Sequence, residues 1–385
     1  MIRRKIPLSW LQLTREKPRL LVALAGIAFA DILMFIQMGF QAALYDSTTR
    51  LHQHLEADLV LISPQARNML NMNTFPRRRL YQAMSITGVK SADALYINTA
   101  DWKNPQTRRK TAILVLGFDP EAAVLNLPGV NENLNTLKLP DTVLFDRASR
   151  GDYQQTLTKV ANGQTVTTEV GDRQIKIAGL FSIGASFGAD GSLITSDLNF
   201  LRLFPKRHAE GVSVGLITLQ PGTDLHQTTT ALRATLPDDV KVLTHPEFID
   251  FEKDYWRKNT AIGFIFSLGT MMGFIVGVII VYQILYTDVA DHIAEYATLK
   301  AMGYKDLYLL VLVFQEALIL SILGYIPGAS LSIGLYALTR QATNLPLFMV
   351  ATRAINVLML TIIMCAISGA IAMRKLQAAD PADIF

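Results

Sequence analysis

The stretch from Ala261 to Tyr286, AIGFIFSLGTMMGFIVGVIIVYQILY, holds 26 residues without a single charge. A helix rises about 1.5 Å per residue, so this run crosses a hydrocarbon layer of roughly 30 Å. It reads as a membrane span. Three more runs share the character: residues 19–44, 307–338 and 354–373. The first of these carries one carboxylate, Asp31, and is too long, with too poor a cleavage site after it, for a signal peptide. The 307–338 run contains Gly324, Pro327 and Gly328, which can kink or split a helix.

These runs account for a composition that is 50% hydrophobic and 18% charged, with a mean hydropathy of +0.28. Between the first and second run, residues 45–259 have an ordinary soluble composition and enough length for their own core. The expected fold is therefore a membrane α-helical protein. It has four transmembrane helices, one plus three, and a large mixed α/β extracytoplasmic domain between helices 1 and 2.

Charge placement orients the chain. The segment 1–18 and its border hold Arg3, Arg4, Lys5, Arg15, Lys17 and Arg19 against Glu16, which places the N-terminus in the cytoplasm. Counting spans then puts 45–259 outside, 287–306 inside, the loop near 340–352 outside and the 374–385 tail inside. Arg374 and Lys375 agree with that count. A net charge of +4 without a basic stripe interleaved with aromatics gives no sign of nucleic-acid binding. The single cysteine, Cys365, lies in an apolar run, so no intramolecular disulfide forms.

The 45–259 region opens with an amphipathic helical stretch that gives way at Ala57 to DLVLIS, a short run typical of a buried strand. Further strands are expected at 112–117, 174–177, 192–195 and 212–219, and a helix at 225–236. Turn signals such as Asn104-Pro105, Pro128-Gly129 and Asn162-Gly163 separate them. The glycine-rich segment from Phe181 to Ser192 lacks the Lys-Ser or Lys-Thr pair of a nucleotide loop and reads as a flexible loop. Arg77, Arg78 and Arg79 read as a solvated turn more readily than as a contact for an anionic partner. His52 and His54 point apart on a helix, which argues against a metal site.

No Gly-x-Ser-x-Gly elbow, His-Glu-x-x-His helix or P-loop occurs in the chain. The reading is of a chain that is no enzyme: catalytic residues none, metal none, cofactors none. Between the second and third spans, Val289, Ile293, Tyr296, Ala297 and Lys300 recur at helical steps, Leu299, Met302 and Tyr304 extend the apolar surface, and Gly303 sits where a helix would end. Periodicity alone leaves this 288–306 helix open between an interfacial connector and a protein-docking element.

The segment DHIAEYATLKAMGYKD resembles the loop after the second span of FtsX-like and MacB-like permeases, with Leu299-Lys300-Ala301-Met302-Gly303 as its core. The closing AADPADIF is similar to the end of the same family. The opening RKIPLSWLQLTREKPRLLVALAGIAFADILMFIQMGFQAALYDS, with DLVLISPQ, RRRLYQA and WKNPQTRR, is similar to the narrower DevC group of cyanobacterial permeases. This resemblance implies a permease subunit of an ATP-binding-cassette exporter in the bacterial inner membrane. It also implies a separate ATPase subunit carrying ATP and Mg, a periplasmic membrane-fusion adaptor with an outer-membrane channel, a homodimer, and glycolipid-like or other cargo. Asp291, Ile293, Glu295, Tyr296, Leu299, Lys300, Met302 and Gly303 would then dock the ATPase. An FtsX-like signalling scaffold that activates an external hydrolase, and a lipoprotein-releasing permease, are the alternatives.

Asp31, Gln37 and Glu316 are polar groups inside spans, where an ionisable residue costs roughly 2.5 to 3.5 kcal/mol on insertion scales. Asp31, at mid-span, reads as a hydrogen bond that fixes helix packing. Glu316, about two turns into the third span, reads as a pairing near the inner loop.

Overall fold

A computed structural model describes residues 17–122, 124–295, 298, 302–304 and 306–378. Among them, four helices are long and apolar enough to cross a membrane: Lys17–Gln53, Ala261–Asp291, Leu307–Thr343 and Ala351–Met373. They flank a large mixed α/β domain. The chain divides into two compact units, one made of 1–42, 261–341 and 347–385, the other of 43–260 and 342–346.

The first unit is the helix bundle. Helix α1 (Lys17–Gln53) enters it and runs nine residues past the expected end of the first span, so the amphipathic stretch read after that span is the same helix continued. Within the 43–260 unit lie the helices α2 (Arg78–Met84), α3 (Gln154–Ala161), α4 (Asp197–Leu203), α5 (Leu225–Thr235) and α6 (His245–Lys258). The bundle resumes with α7 (Ala261–Asp291), α8 (Asp306–Thr343) and α9 (Ala351–Ala378). Its core is small and apolar, with Ala23, Ile27, Ala30, Val281, Ala317 and Met364 buried together. Lipid tails offer no hydrophobic drive between helices, so close backbone approach does the packing. Gly328 illustrates it: a Cβ there would sit 2.8 Å from Asp31 Cβ and 3.2 Å from the Ala28 backbone. Pro327 does not split α8, which is continuous through it.

The domain is built on a nine-stranded mixed sheet. Its strands are β1 (Leu59–Ile62), β3 (Val89–Lys103), β4 (Lys110–Phe118), β5 (Thr142–Asp146), β6 (Val166–Val170), β7 (Arg173–Phe181), β8 (Ser192–Ser196), β10 (Val214–Leu219) and β11 (Lys241–Thr244). The order is β11-β1-β10-β3-β4-β8-β5-β7-β6. The short strands β2 (Phe75–Pro76) and β9 (Gly211–Val212) form a separate pair. Pairs β4–β8 and β5–β7 are parallel, and the others are antiparallel.

Alternation explains why strands such as β1 and β4 carry nearly unbroken apolar runs. In β4, Leu114 and Leu116 enter one core with Leu95 and Ile97, while Ile113 and Val115 enter another with Tyr96 and Trp102. In β1, Val60 and Ile62 join the first core, and Leu59 and Leu61 pack with Leu80 of α2 and Leu232 of α5. A sheet covered on both faces needs apolar residues at odd and even positions alike.

Two loop expectations change. The 181–192 segment is pinned: Asp146 accepts from Ile183 N at 3.2 Å and Gly184 N at 2.7 Å, and Arg50 donates to Ile183 O at 2.8 Å. Asp146 is fully buried. Burial pushes its carboxyl above the ordinary range, against the pull of the Ala148, Gly184 and Ile183 N–H groups and of Arg50. The arginine run is likewise not a solvated turn throughout, because Arg79 is buried and grips Asp239 with two bonds of 2.8 and 2.6 Å.

Candidate functional site

The segment joining α7 to α8 grows out of a helix that does not stop at the expected end of its span. Helix α7 continues to Asp291, and helical residues resume at 293–295. Its polar end is tied to α1. Arg19 pairs with Asp291 and lies 3.7 Å from Asp288, so a cation just before one apolar run meets the acids just after another. His292 Nδ1 lies 3.0 Å from Asp288 O and 3.9 Å from Asp288 Oδ1.

The residues expected to dock a partner divide by the direction they face. Val289 is buried, and Ile293 packs with it against Leu309, Leu312, Val313 and Met373. Asp291 is occupied by Arg19. Glu295 is exposed, and Met302 is 63% exposed. Met302 N donates to Thr298 O at 3.0 Å, a helical bond, and Gly303 follows at φ +89°, the left-handed conformation that ends a helix. The Tyr304 and Tyr308 rings lie beyond it, tilted against each other with centroids 4.8 Å apart. Tyr296, Leu299 and Lys300 lie outside the described residues. The half of the amphipathic stretch nearest α7 therefore seals the bundle, and exposed apolar surface gathers at Met302, Tyr304 and Leu307.

Within the bundle, the polar residues have different surroundings. Asp31 is fully buried, and Thr361 Oγ1 on α9 donates to its Oδ1 at 2.5 Å. Its Oδ2 meets no hydrogen-bond donor among the described residues. Gln37 lies along α7, where a Cβ on Gly269 would come within 2.4 Å of its Cδ. Glu316 is fully buried, and neither of its oxygens has a hydrogen bond among the described residues. Among the described residues Asp288 acts on it as a like charge. Sequence reasoning missed the Arg19 contacts, since Asp291 stands 272 residues from it and Asp288 lies just before that. The available signal was an arginine and two aspartates at the same end of adjacent apolar runs.

Among the described residues, no group of three or more His, Cys, Asp or Glu side chains could hold a metal ion. The arrangement offers a tied helix junction and an exposed apolar turn. Residues 265–381 match the FtsX-like permease C-terminal family. The match takes in nearly all of α7, the joining segment, α8 and α9. No curated protein matches the chain. Among solved structures, the periplasmic region of MacB from Actinobacillus actinomycetemcomitans is similar at 8% identity and a TM-score of 0.34, covering 51% of this chain and 92% of its own. The extracellular domain of the noncanonic ABC-type transporter YknZ from Gram-positive bacteria is similar at 10% identity and a TM-score of 0.32, covering 48% of this chain and 99% of its own. A domain of a permease protein from Porphyromonas gingivalis gives 13% identity and a TM-score of 0.29, covering 48% and 88%.

Proposed function

We propose that the chain is the membrane subunit of an ATP-binding-cassette exporter, working as a mechanical element with no chemistry of its own. A separate ATPase subunit binds ATP and Mg and docks on the 287–306 segment. Its closure moves the helices, and the movement passes along α1 and α6 to the 45–259 domain. In this reading the chain is a homodimer in the bacterial inner membrane, with both termini cytoplasmic and the domain periplasmic. The domain engages a membrane-fusion adaptor, which leads to an outer-membrane channel. Cargo of the glycolipid class leaves through that assembly.

The observation that carries the reading is the FtsX-like permease match, which spans the joining segment and the three helices around it. Two features of the segment support docking there. Its base is braced by Arg19 against Asp288 and Asp291, so a push on it is delivered to α1 and α7 together. Its exposed turn presents Met302 and Tyr304, flexible and aromatic apolar groups suited to a partner's groove.

A photo-crosslinking residue at Met302, introduced in the full chain in its native membrane, tests this directly. Capture of a P-loop ATPase, with an adaptor recovered in the same complex, supports the exporter. Recovery of the ATPase with a peptidoglycan hydrolase favours a signalling scaffold, and recovery with a lipoprotein carrier favours a lipoprotein-releasing permease. Absence of any ATPase contradicts the docking assignment.

A further inference from the structure

The domain is entered by the last turns of α1 and left by α6, which ends at Lys258, three residues before α7 begins. These two helices meet in polar contacts centred on His52. His52 on α1 and Glu252 on α6 are both buried to within 1% of full exclusion, with His52 Nε2 3.7 Å from Glu252 Oε2. Each is held from behind. The His52 ring lies against Phe248 at 4.5 Å, and its backbone oxygen meets His245 Nε2 at 2.6 Å. Glu252 accepts from Met69 N and from Trp256 Nε1, both at 2.8 Å. A recess of about 450 Å³, counting the space at its mouth, opens beside Glu252, with Ser47, Thr48, Leu51, Met69 and Trp256 in its wall.

The other ionisable groups on these elements are engaged elsewhere or stand outside the contact. Arg50 on α1 serves Asp146 and Ile183 O, and Asp46 on α1 is exposed. On α6, Asp254 pairs with Lys258 and Arg257, Lys253 makes no ion pair among the described residues, and Glu247 caps the helix and meets Arg233. His245 is the titratable neighbour on the His52 side. At 3.7 Å the ring and the carboxyl stand outside hydrogen-bond reach, and burial, with His245 nearby, pushes the His52 imidazole down to about 3, so the one proton this pair holds near neutral pH sits on Glu252 beside a neutral ring. They cannot lose it without leaving a bare carboxylate buried beside a neutral ring.

We propose that His52 and Glu252 form a one-proton clasp joining α1 to α6, closed while the pair holds its proton and loosened when the proton leaves. Burial pushes the Glu252 carboxyl up to about 7, against the two hydrogen bonds from Trp256 and Met69. Its value in the folded protein is thus above the ordinary 4.5. The stability it contributes is fully present below that ordinary value and is lost as pH rises through about 7. The recess gives the departing proton a route to solvent. The clasp rests on this buried contact and on the burial-raised Glu252 carboxyl; its use, as a control on movement passed along the two helices, rests on the transmission reading above.

The test reads the joint and not transport, so failure of the exporter reading leaves it standing. In the full-length protein with Cys365→Ser, spin labels are placed at Gln53→Cys and Asp250→Cys, both exposed positions. Raising the pH from about 6 to about 8.5 is expected to lengthen or broaden the label separation by ~2 Å or more in the parent. Glu252→Gln, a neutral group at all these values, is expected to give the narrow distribution throughout. His52→Gln, which replaces the buried ring facing the carboxyl, is expected to shift or abolish the response, and it serves if the first variant does not fold. An unchanged separation in the parent overturns the clasp, as does a parent-like response in either variant.

Discussion

Asp146 in the α/β domain and Glu316 in the helix bundle are both fully buried carboxylates, and they are held in opposite ways. Asp146 accepts from the backbone N–H groups of Ala148, Ile183 and Gly184, at 3.0, 3.2 and 2.7 Å. Glu316 has no hydrogen bond among the described residues, and Asp31 in the same bundle has only the Thr361 hydroxyl. The difference follows from secondary structure. A helix spends its N–H groups on its own carbonyls, so a carboxylate between helices must find a side-chain donor. A loop that leaves a strand has N–H groups to lend. Buried acids in the domain therefore organise backbone, whereas those in the bundle depend on one neighbour or none.

The comparison is most exposed to Asp146→Ala. It strands three backbone donors and the Arg50 charge, and the expected loss is about 3–5 kcal/mol of domain stability, read by thermal unfolding of the full chain. A loss below about 1 kcal/mol would mean that the 181–192 segment does not depend on this anchor. Thr361→Val is the intermediate case. It takes the hydrogen bond from Asp31 and is expected to cost about 1–3 kcal/mol, with Asp31→Asn alone milder because the Thr361 contact survives. Glu316→Leu is expected to be smallest, within about 1 kcal/mol of the parent or more stable, since an unpartnered acid is exchanged for an apolar chain. Marked destabilisation by that change would show that Glu316 has a partner beyond the described residues.

Much of this architecture is legible in the sequence, for reasons that differ by region. Helix α7 is evident because 26 uncharged residues have one physical destination. Strands β1, β4, β7, β8 and β10 show as short apolar or alternating runs. Strand β3 does not, although it is the longest, because VKSADALYINTADWK mixes charges with apolar residues along a strand exposed over part of its length. Strand β5, TVLFD, is wholly buried and too short to show a period. Asp31 and Glu316 stand out as charges in apolar runs. Asp146 and Glu252 look like any surface acid until the fold buries them. Glycine in 181–192 suggested flexibility, but the anchors that hold the segment, Asp146 and Arg50, lie far from it in sequence. The face that Ile293 presents to the bundle was likewise hidden, since an amphipathic period does not say which partner covers which side.

The central claim, that a separate ATPase delivers its work through the 287–306 segment, is tested by the partner's ATP hydrolysis in the presence of the full chain carrying Met302→Glu. Met302 is 63% exposed, so the substitution is expected to leave the unfolding temperature of the chain unchanged. Stimulation of hydrolysis by the chain, and transport with it, is expected to fall about tenfold or more if the account holds, because a charge would replace an apolar contact at the proposed docking surface. Full stimulation and full transport by this variant would contradict the account.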